Sequence, residues 1–568
     1  MTTPTAPAAP WRPKTWLPGP EIDPAARAEL GAFTVPQQQI LVSRGLRTKA
    51  SAWSFLQSPA VSPDPLEVGG MRAAVDRITS ARQRGERVAV YGDYDTDGVT
   101  AAAIMAEALE ALGLDVQVHI PNRFGEGYGL NAEALKKLAQ DGVRLLVTVD
   151  CGVRSEAEVI LARDLGMEVV ITDHHETGAV LPPAVAVVDP KGEPEGRGFR
   201  EYSGAGIAYL VAHALALSQS RPEPQELLDL VAIGTISDLV PLVDMNRGLV
   251  QRGLAQLRQT KRPGLKALME IAGLRGKVLT AASIGFGLGP RLNAAGRLDS
   301  AMVAYSLLVA EDAEQARKLA EGLDRTNRER QDLTREMVDR ARRQVLAAEE
   351  DDLVLFAAAE DFNEGVVGLA AGRLMEEFYR PCIVARMGAE ITRASARSIP
   401  EFPITQALDE CAEWMLQYGG HAAAAGFTVE TKKLPHVLSR LQELARERLG
   451  DDGPVASLRV DAEVSLRDLD EDLMAFVERL EPCGFGNPSP LLVARGVRVV
   501  SARQVGSDRA HLKLMVQDAT GTQEAIAFRK GHLAPPVNSL VDLAFQLERN
   551  EYLGVASLQL NVRELRAA

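Results

Sequence analysis

Between Tyr91 and Gly98 the chain reads YGDYDTDG, which sets Asp93, Asp95 and Asp97 at alternate positions directly behind the apolar run Val88-Ala89-Val90. Carboxylates a few ångströms apart raise one another's pKa unless a positive charge sits among them. One or two hard cations with oxygen ligands would supply that charge. An acidic helix N-terminus, favoured by the helix dipole, is the alternative this motif alone leaves open. Asp150, in TVDCG, is a further carboxylate placed just after an apolar run, and Cys151 beside it reads as a small packing residue, since no pairing histidine is implied. TDHHE, Thr172–Glu176, is sharper: His174 and His175 with flanking carboxylates suit Mn2+ better than Ca2+. Asp238 in SDLVPL could be a ligand or a helix cap. Together these groups point to phosphoester hydrolysis at a two-metal site, which activates a water and clamps both oxygens of an in-line displacement.

Such groups need a scaffold that delivers them to one place. RVAVYGDYD, DVQVHIPN, RLLVTVDCG, EVVITDHHE and AVAVVDP have the length and β-branched content of buried strands. The stretches between them read as helices, with Ser155 as an N-cap. Strand–helix alternation with near-continuous apolar strands predicts a parallel sheet covered on both faces. Ligands of such sheets bind beyond the carboxyl ends of the strands, where Asp93–Asp97, Asp150 and Asp173–Glu176 all fall.

Residues 203–300 read as helical. Their GFGLGP run lacks the strand and the ribose-binding acid of a dinucleotide site, so that reading is rejected. In RLNAAGRL, Arg291, Asn293 and Arg297 could grip backbone phosphates, although Arg297 could equally pair with acids of the next helix. Residues 301–349 read as one long connecting helix, followed by a smaller α/β unit at 350–450. There Asn363–Arg373 opens a helix whose free N–H groups suit a phosphate, with Arg373, Arg393 and Arg397 near in sequence. GGHAAAAGF offers close backbone approach and His421 as a donor, or simply a packed turn. Short strands with turn signals at 455–568 predict a small barrel of OB type. In it Phe528 is a stacking platform, with Arg503, Arg509, His511, Lys513, Arg529 and Lys530 forming a basic groove.

The 568 residues suffice for about three or four domains. No apolar run reaches the roughly 18 residues of a membrane span. The Pro-, Ala- and Thr-rich start has no signal-peptide core, and residues 1–48 are expected to be a flexible lead-in. Four scattered cysteines suit a reducing cytoplasm and argue against a disulfide scaffold or zinc finger. A net charge of −14 disfavours broad, non-specific nucleic-acid binding but leaves room for a local basic channel.

DYDTDG, TVDCG, TDHHE and SDLVPL, in this order, resemble the DHH phosphoesterases. IPNRFGEGYGL, GLGPRLNAAGRL, ASARSI, GGHAAAAGF and EPCGFGNPSP resemble the branch of that family that degrades single-stranded DNA from 5′ to 3′. The resemblance covers residues 50–568. It implies an α/β protein with a DHH phosphoesterase domain on a parallel sheet (49–300), the connecting helix (301–349), a smaller α/β DHH-associated domain (350–450) and a C-terminal OB-fold β-barrel (455–568). It further implies Asp95, Asp97, Asp150, His174 and Asp238 as core ligands of Mn2+ or Mg2+, two ions, with Asp150 bridging and Asp93 supporting. His175 takes the place of a phosphate-contacting or acid–base histidine, so His175 and Asp150 are the catalytic pair. Arg123, Arg291, Asn293, Arg297, Asn363, Arg373, Arg397, Ser398, His421 and Phe528 become the nucleic-acid contacts. The implied partner is single-stranded DNA with a free 5′ end, cut to mononucleotides in recombination and repair. A single-strand-binding protein and a helicase are the candidate protein partners, and the chain is expected to be a cytoplasmic monomer without membrane association. The C-terminal extension of some relatives is expected to be absent. Two readings compete: a small-substrate phosphoesterase such as an oligoribonuclease or pyrophosphatase, which would lack the barrel, and a non-catalytic scaffold, which would lack ligands.

Overall fold

A computed structural model describes residues 14–57, 64–123, 125–192, 198–348, 352–506, 508–552 and 555–568. The first 13 residues of the expected lead-in lie outside them. The chain forms two compact units, one of Leu17–Leu323 with Arg459–Ala568, the other of Asp324–Leu458 with the segment ending at Trp16.

In the first unit, strands Arg87–Tyr91, Asp115–His119, Val143–Val149, Glu168–Thr172 and Ala186–Val188 form one parallel sheet. The Arg87–Tyr91 strand lies between Asp115–His119 and Val143–Val149. Successive side chains of a strand point to opposite faces, and both faces here are apolar. Val88, Val90, Leu145 and Val147 pack beneath helices Thr96–Ala111, Gly204–Ser218 and Leu228–Ser237. Ala89, Tyr91, Leu146 and Ile171 pack under Ala132–Gln140 and Glu156–Asp164. Ser155 does stand at the N-cap of the latter helix, but its side chain makes no capping hydrogen bond. The GFGLGP run forms a π-helical turn, Ser283–Leu288, that continues into helix Gly289–Leu298.

The same unit holds the barrel. Strand Leu492–Val505 pairs with His511–Gln517 on one side and Leu540–Tyr552 on the other. Thr522–Ala527 and Val555–Ala567 complete a closed five-strand circuit, and the two-residue strand Ala462–Glu463 adds to the start of Leu492–Val505. Its core corrects the expected lead-in. Helices Pro24–Glu29, Val35–Ser43 and Lys49–Gln57, with the turn joining the first two, bury Leu30, Phe33, Ile40, Leu41 and Leu56 in one cluster with Leu473, Phe476, Leu492 and Phe545. The starts of the first two are fixed by Asp23, which accepts from the Ala26 N–H at 2.8 Å, and by a Thr34–Gln37 capping box.

The second unit carries a mixed five-stranded sheet in the order Met415–His421, Ala424–Glu430, Ile391–Arg397, Cys382–Met387, Leu355–Ala359. Only its last pair is parallel. The expected single helix over 301–349 is two: Met302–Leu308, then the 35-residue Ala313–Ala347. The restart is marked by Asp312, whose carboxylate accepts from the Gln315 N–H at 2.7 Å. Met337, Val338, Ala341 and Val345 of the long helix join the core around Val367 and Leu374. Among the described residues no helix is long and apolar enough to cross a membrane.

Candidate metal centre

The Asp93–Asp97 loop leaves the Arg87–Tyr91 strand and enters the Thr96–Ala111 helix at once. Asp95 is that helix's N-cap: its Oδ1 accepts from the Asp97 and Gly98 N–H groups at 2.8 and 3.0 Å. The capping alternative is therefore realised by one carboxylate of the three. Asp97 instead accepts from the N–H groups of Gly204 (2.6 Å) and Ala205 (2.9 Å) at the start of another helix. Asp93 is buried, with Oδ1 lacking any hydrogen-bond partner among the described residues.

Asp150 follows the Val143–Val149 strand with φ of 61°, a left-handed turn that directs its carboxylate across the sheet edge. A side chain on Gly204 would begin 2.6 Å from Asp150 Cβ, so glycine there admits the carboxylate. Cys151 is buried, and burial pushes its thiol well above the usual range. Behind the next strand, Asp173 holds the turn by accepting from the N–H groups of His174 (2.8 Å), His175 (3.2 Å) and Val153 (2.9 Å). Asp173 Oδ1 also lies 2.7 Å from His175 Nδ1.

Asp238 arrives differently, at the C-terminal end of helix Leu228–Ser237. His174 Nε2 then stands 2.9 Å from Asp150 Oδ1, 3.6 Å from Asp238 Oδ2 and 3.9 Å from Asp97 Oδ2. Ligand atoms gather in three overlapping groups, each within 4.8 Å: Asp93–Asp95–Asp150, Asp97–His174–Asp238 and Asp150–His174–His175. All six expected metal ligands and His175 are thus brought together, with Asp150 and His174 each shared by two groups.

Two like charges about 4 Å apart repel by about 4 kcal/mol at an effective dielectric of about 20. Burial first, then the neighbouring carboxylates, accordingly raise Asp93, Asp150 and Asp238 far above the usual carboxylate range. Burial and Asp95 push Asp97 up to about 7, against the two helix N–H groups. Burial would raise Asp173 as well, but the hydrogen bond and charge of His175 outweigh it and hold that carboxyl low. Burial alone would lower His175, yet Asp173, Asp93 and Asp95 together raise it. A crowded oxygen-rich set, two imidazoles and an unpartnered buried oxygen on Asp93 fit divalent cations of the Mn2+ and Mg2+ type.

The expected strand contacts divide. Arg123 lies over the Tyr94 ring at 5.0 Å, and Tyr94 lies 6.3 Å from Tyr128, centroid to centroid. Tyr128, 55% exposed, stands 5.9 Å from the His175 ring. The sequence reading missed both tyrosines. Their only signal was position, one inside the aspartate motif and one in GEGYGL. Asn293 has a second task the sequence did not show: its Oδ1 accepts from the Thr96 N–H at 2.8 Å and braces the aspartate loop. Arg291 reaches back to Gly287 O at 2.6 Å, and Arg297 lies in the last turn of the same helix.

In the second unit Asn363 and Arg373 are exposed, and Asn363 Oδ1 accepts from the Gly365 N–H at 2.8 Å. Arg397 packs over the helix start, so that a side chain on Gly368 would begin 2.8 Å from its Nη2. Arg393 is drawn instead to Glu364 at 3.0 Å. Ser398 is corrected: it is buried, and its hydroxyl donates to Phe402 O. His421 is exposed at the end of its strand, opposite Ala424. Arg330 ends the RTNRER run of the long helix, which as sequence reads as a solvated face rather than a nucleic-acid contact, yet its Nε is buried with no hydrogen-bond partner among the described residues. Burial and the charge of Arg373 hold the Arg330 guanidinium below its usual pKa. On the barrel, Phe528 is 51% exposed and its ring lies 5.4 Å from that of His511.

Three family models match the chain: the DHH family, N-terminal domain at residues 87–235, the DHHA1 domain at 351–447 and the RecJ OB domain at 460–564. The single-stranded-DNA-specific exonuclease RecJ of Bacillus subtilis (strain 168) is 38% identical over 530 residues, covering 92% of this chain and 67% of that protein. A crystal structure of RecJ in complex with Mn2+ from Thermus thermophilus superposes with a TM-score of 0.83 at 31% identity, over 96% of this chain and 77% of that one. A structure of that protein in complex with Mg2+ gives a TM-score of 0.77 at 29% identity, over 96% and 76% of the two chains.

Proposed function

The chain belongs to the family of RecJ single-stranded-DNA-specific exonucleases, and from that premise we propose how its own residues cut a strand and from which end. It is a metal-dependent exonuclease of single-stranded DNA, a phosphodiester hydrolase that uses Mn2+ or Mg2+. The observation that carries the reading of the site is the convergence of Asp93, Asp95, Asp97, Asp150, His174 and Asp238 at one sheet edge. These six would hold the metal, Asp150 and His174 each belonging to two of the groups of ligand atoms. Bound there, two divalent ions would polarise the scissile phosphate and lower the pKa of a water that attacks it.

His175 is the acid–base residue. Asp173 fixes its Nδ1 and, with the neighbouring carboxylates, keeps its proton, so the ring can bind a phosphate oxygen or protonate the departing one. Tyr128 and Tyr94, with Arg123 over the latter, form an aromatic wall on which a terminal base can stack. Arg291 and Arg297 would meet backbone phosphates.

Direction requires recognition of an end. Arg330, Arg373 and Arg397 with the Asn363 turn form a cationic group in which Arg330 Nε has no acceptor among the described residues, which suits a terminal 5′ phosphate. The chain then works 5′→3′ and releases mononucleotides, with His421 as a further donor to the strand. A monomer in the cytoplasm, supplied with single strands by a helicase and a single-strand-binding protein during recombination and repair, completes the reading.

A time course on 5′- and 3′-end-labelled single strands, with and without Mn2+, tests it. The 5′ label should appear first, as mononucleotide, and only with metal. Release of the 3′ label first overturns the polarity, and full activity in EDTA overturns the metal mechanism.

A further inference from the structure

The motif Glu481–Pro490, EPCGFGNPSP, supplies no group to the metal centre, yet it lies against the segment that carries one of its carboxylates. Asp238 differs from the other aspartates of the centre in having no strand beneath it. It caps a helix, and the next residue, Leu239, is left-handed (φ 62°) and 68% exposed. Upstream the helix holds it, the Asp238 N–H donating to Gly234 O at 3.0 Å, so what remains to fix the carboxylate is whatever holds the chain immediately downstream. There the Leu242 N–H donates to Phe485 O at 2.8 Å. A side chain on Gly486 would begin 2.8 Å from Pro241 Cβ and 3.1 Å from its Cα. One on Gly484 would begin 2.8 Å from Leu242 Cδ1.

The same turn is fastened from both sides. Asn487, itself buried, closes it by donating from Nδ2 to Leu480 O and Pro482 O, each at 2.9 Å. From the helix Asp244–Arg258 that follows Asp238, Arg247 donates to Leu480 O at 2.7 Å and Gln251 to Glu481 O at 3.1 Å. Loop and helix beyond Asp238 are thus both docked on one turn, which leads from helix Glu471–Arg479 into the first long barrel strand.

We propose that the Glu481–Asn487 turn is a positioning element of the metal centre, with Gly486 and Asn487 as positioning residues that hold the Asp238 carboxylate in place through Pro241 and Leu242. The inference rests on the reading of Asp238 as a metal ligand. A side chain at Gly486 must displace either the turn or Pro241, and displacement of Pro241 moves a ligand three residues away.

The test measures Mn2+ binding to the full-length protein by the paramagnetic signal of free Mn2+, beside its melting temperature, in the absence of DNA. Gly486→Ala should weaken Mn2+ binding by about 10–100-fold, as loss of an outer support does in metal sites. Gly484→Ala, which presses only on the tip of Leu242, should shift it the same way by a smaller factor. Gly496→Ala is the control: Gly496 is also left-handed (φ 58°), but a side chain there meets open space. It should lower the melting temperature and leave Mn2+ affinity unchanged. Unchanged Mn2+ affinity in both Gly484→Ala and Gly486→Ala, or an equal loss in Gly496→Ala, overturns the proposal. Asp238→Ala separates the two levels. If it weakens Mn2+ binding while the turn variants do not, only the bracing fails; if it has no effect, the ligand assignment falls and takes the bracing with it.

Discussion

His174 Nε2 stands 2.9 Å from Asp150 Oδ1, so the ends of two neighbouring parallel strands meet through an imidazole and a carboxylate. Removing the charge of Asp150 tests that junction most cleanly with Asp150→Asn, because asparagine tolerates the left-handed φ of 61° whereas alanine adds strain. Activity should fall further than the roughly 10–100-fold typical of an outer-shell partner. The melting temperature in EDTA should rise, since asparagine is spared the proton that burial and the neighbouring carboxylates force on Asp150 when the metal-free chain folds. A variant with a lower melting temperature in EDTA would show that Asp150 is not held under repulsion.

The two histidines should separate by role. His174 touches Asp97, Asp150 and Asp238, whereas His175 is tied to Asp173 and faces Tyr128. His174→Ala should lower both bound Mn2+ and turnover, and His175→Ala should lower turnover far more than bound Mn2+. Metal analysis of the two purified proteins decides it, and equal loss of ions from both would end the division.

Stability should fall with rising pH in the metal-free protein, and Mn2+ should offset that fall. Asp97 rises from an unfolded value near 3.8 to about 7, so the folded state holds the extra proton between those limits. The metal-free protein therefore loses stability as pH climbs through that window. His175, also raised, adds stability that is full below its unfolded value of 6.5 and fades as pH passes its folded one, the same direction. Asp173, held low, is already ionised throughout and adds no slope there. Cations offset the repulsion, so the gain in melting temperature on adding Mn2+ should grow steadily from about pH 5.5 to about pH 8. A gain that shrinks over that range would contradict the protonated cluster.

The metal centre was legible because a parallel sheet delivers strand-end residues to one edge, and the motifs themselves mark those ends. Asp238, at a helix end, was readable only as one of two possibilities. Ser398 was misread because a polar residue in a motif can serve the backbone as easily as a substrate: its buried hydroxyl is taken up by the Phe402 carbonyl. Tyr94 and Tyr128 carry no periodic or spacing signal, and Arg330 sits in a charged run that reads as a solvated face; only folding shows what stands beside them. At the N-terminus, proline-rich composition masked helices whose signals were present, Asp23 before Pro24 and Thr34 before Pro36.

The barrel should contribute grip. Its removal as residues 455–568 would strip helices Pro24–Glu29, Val35–Ser43 and Lys49–Gln57 of their core, so point variants are the sound test. Arg503 stands opposite Lys513 in the ladder, and His511 shares the outward face of Lys513 beside the exposed ring of Phe528. Lys513 is paired with Glu524, which leaves Arg503, Phe528 and Arg529 as the groups to change. A stacked base is worth about 1–3 kcal/mol. Phe528→Ala should therefore weaken binding of long single strands by roughly 5- to 150-fold, with little change in the salt dependence. Arg503→Ala with Arg529→Ala should instead flatten the salt dependence, because phosphate contacts release counterions. Neither should alter hydrolysis of very short oligonucleotides, whose contacts lie at the metal centre. Equal losses on long and very short substrates would assign this face to folding rather than to the strand.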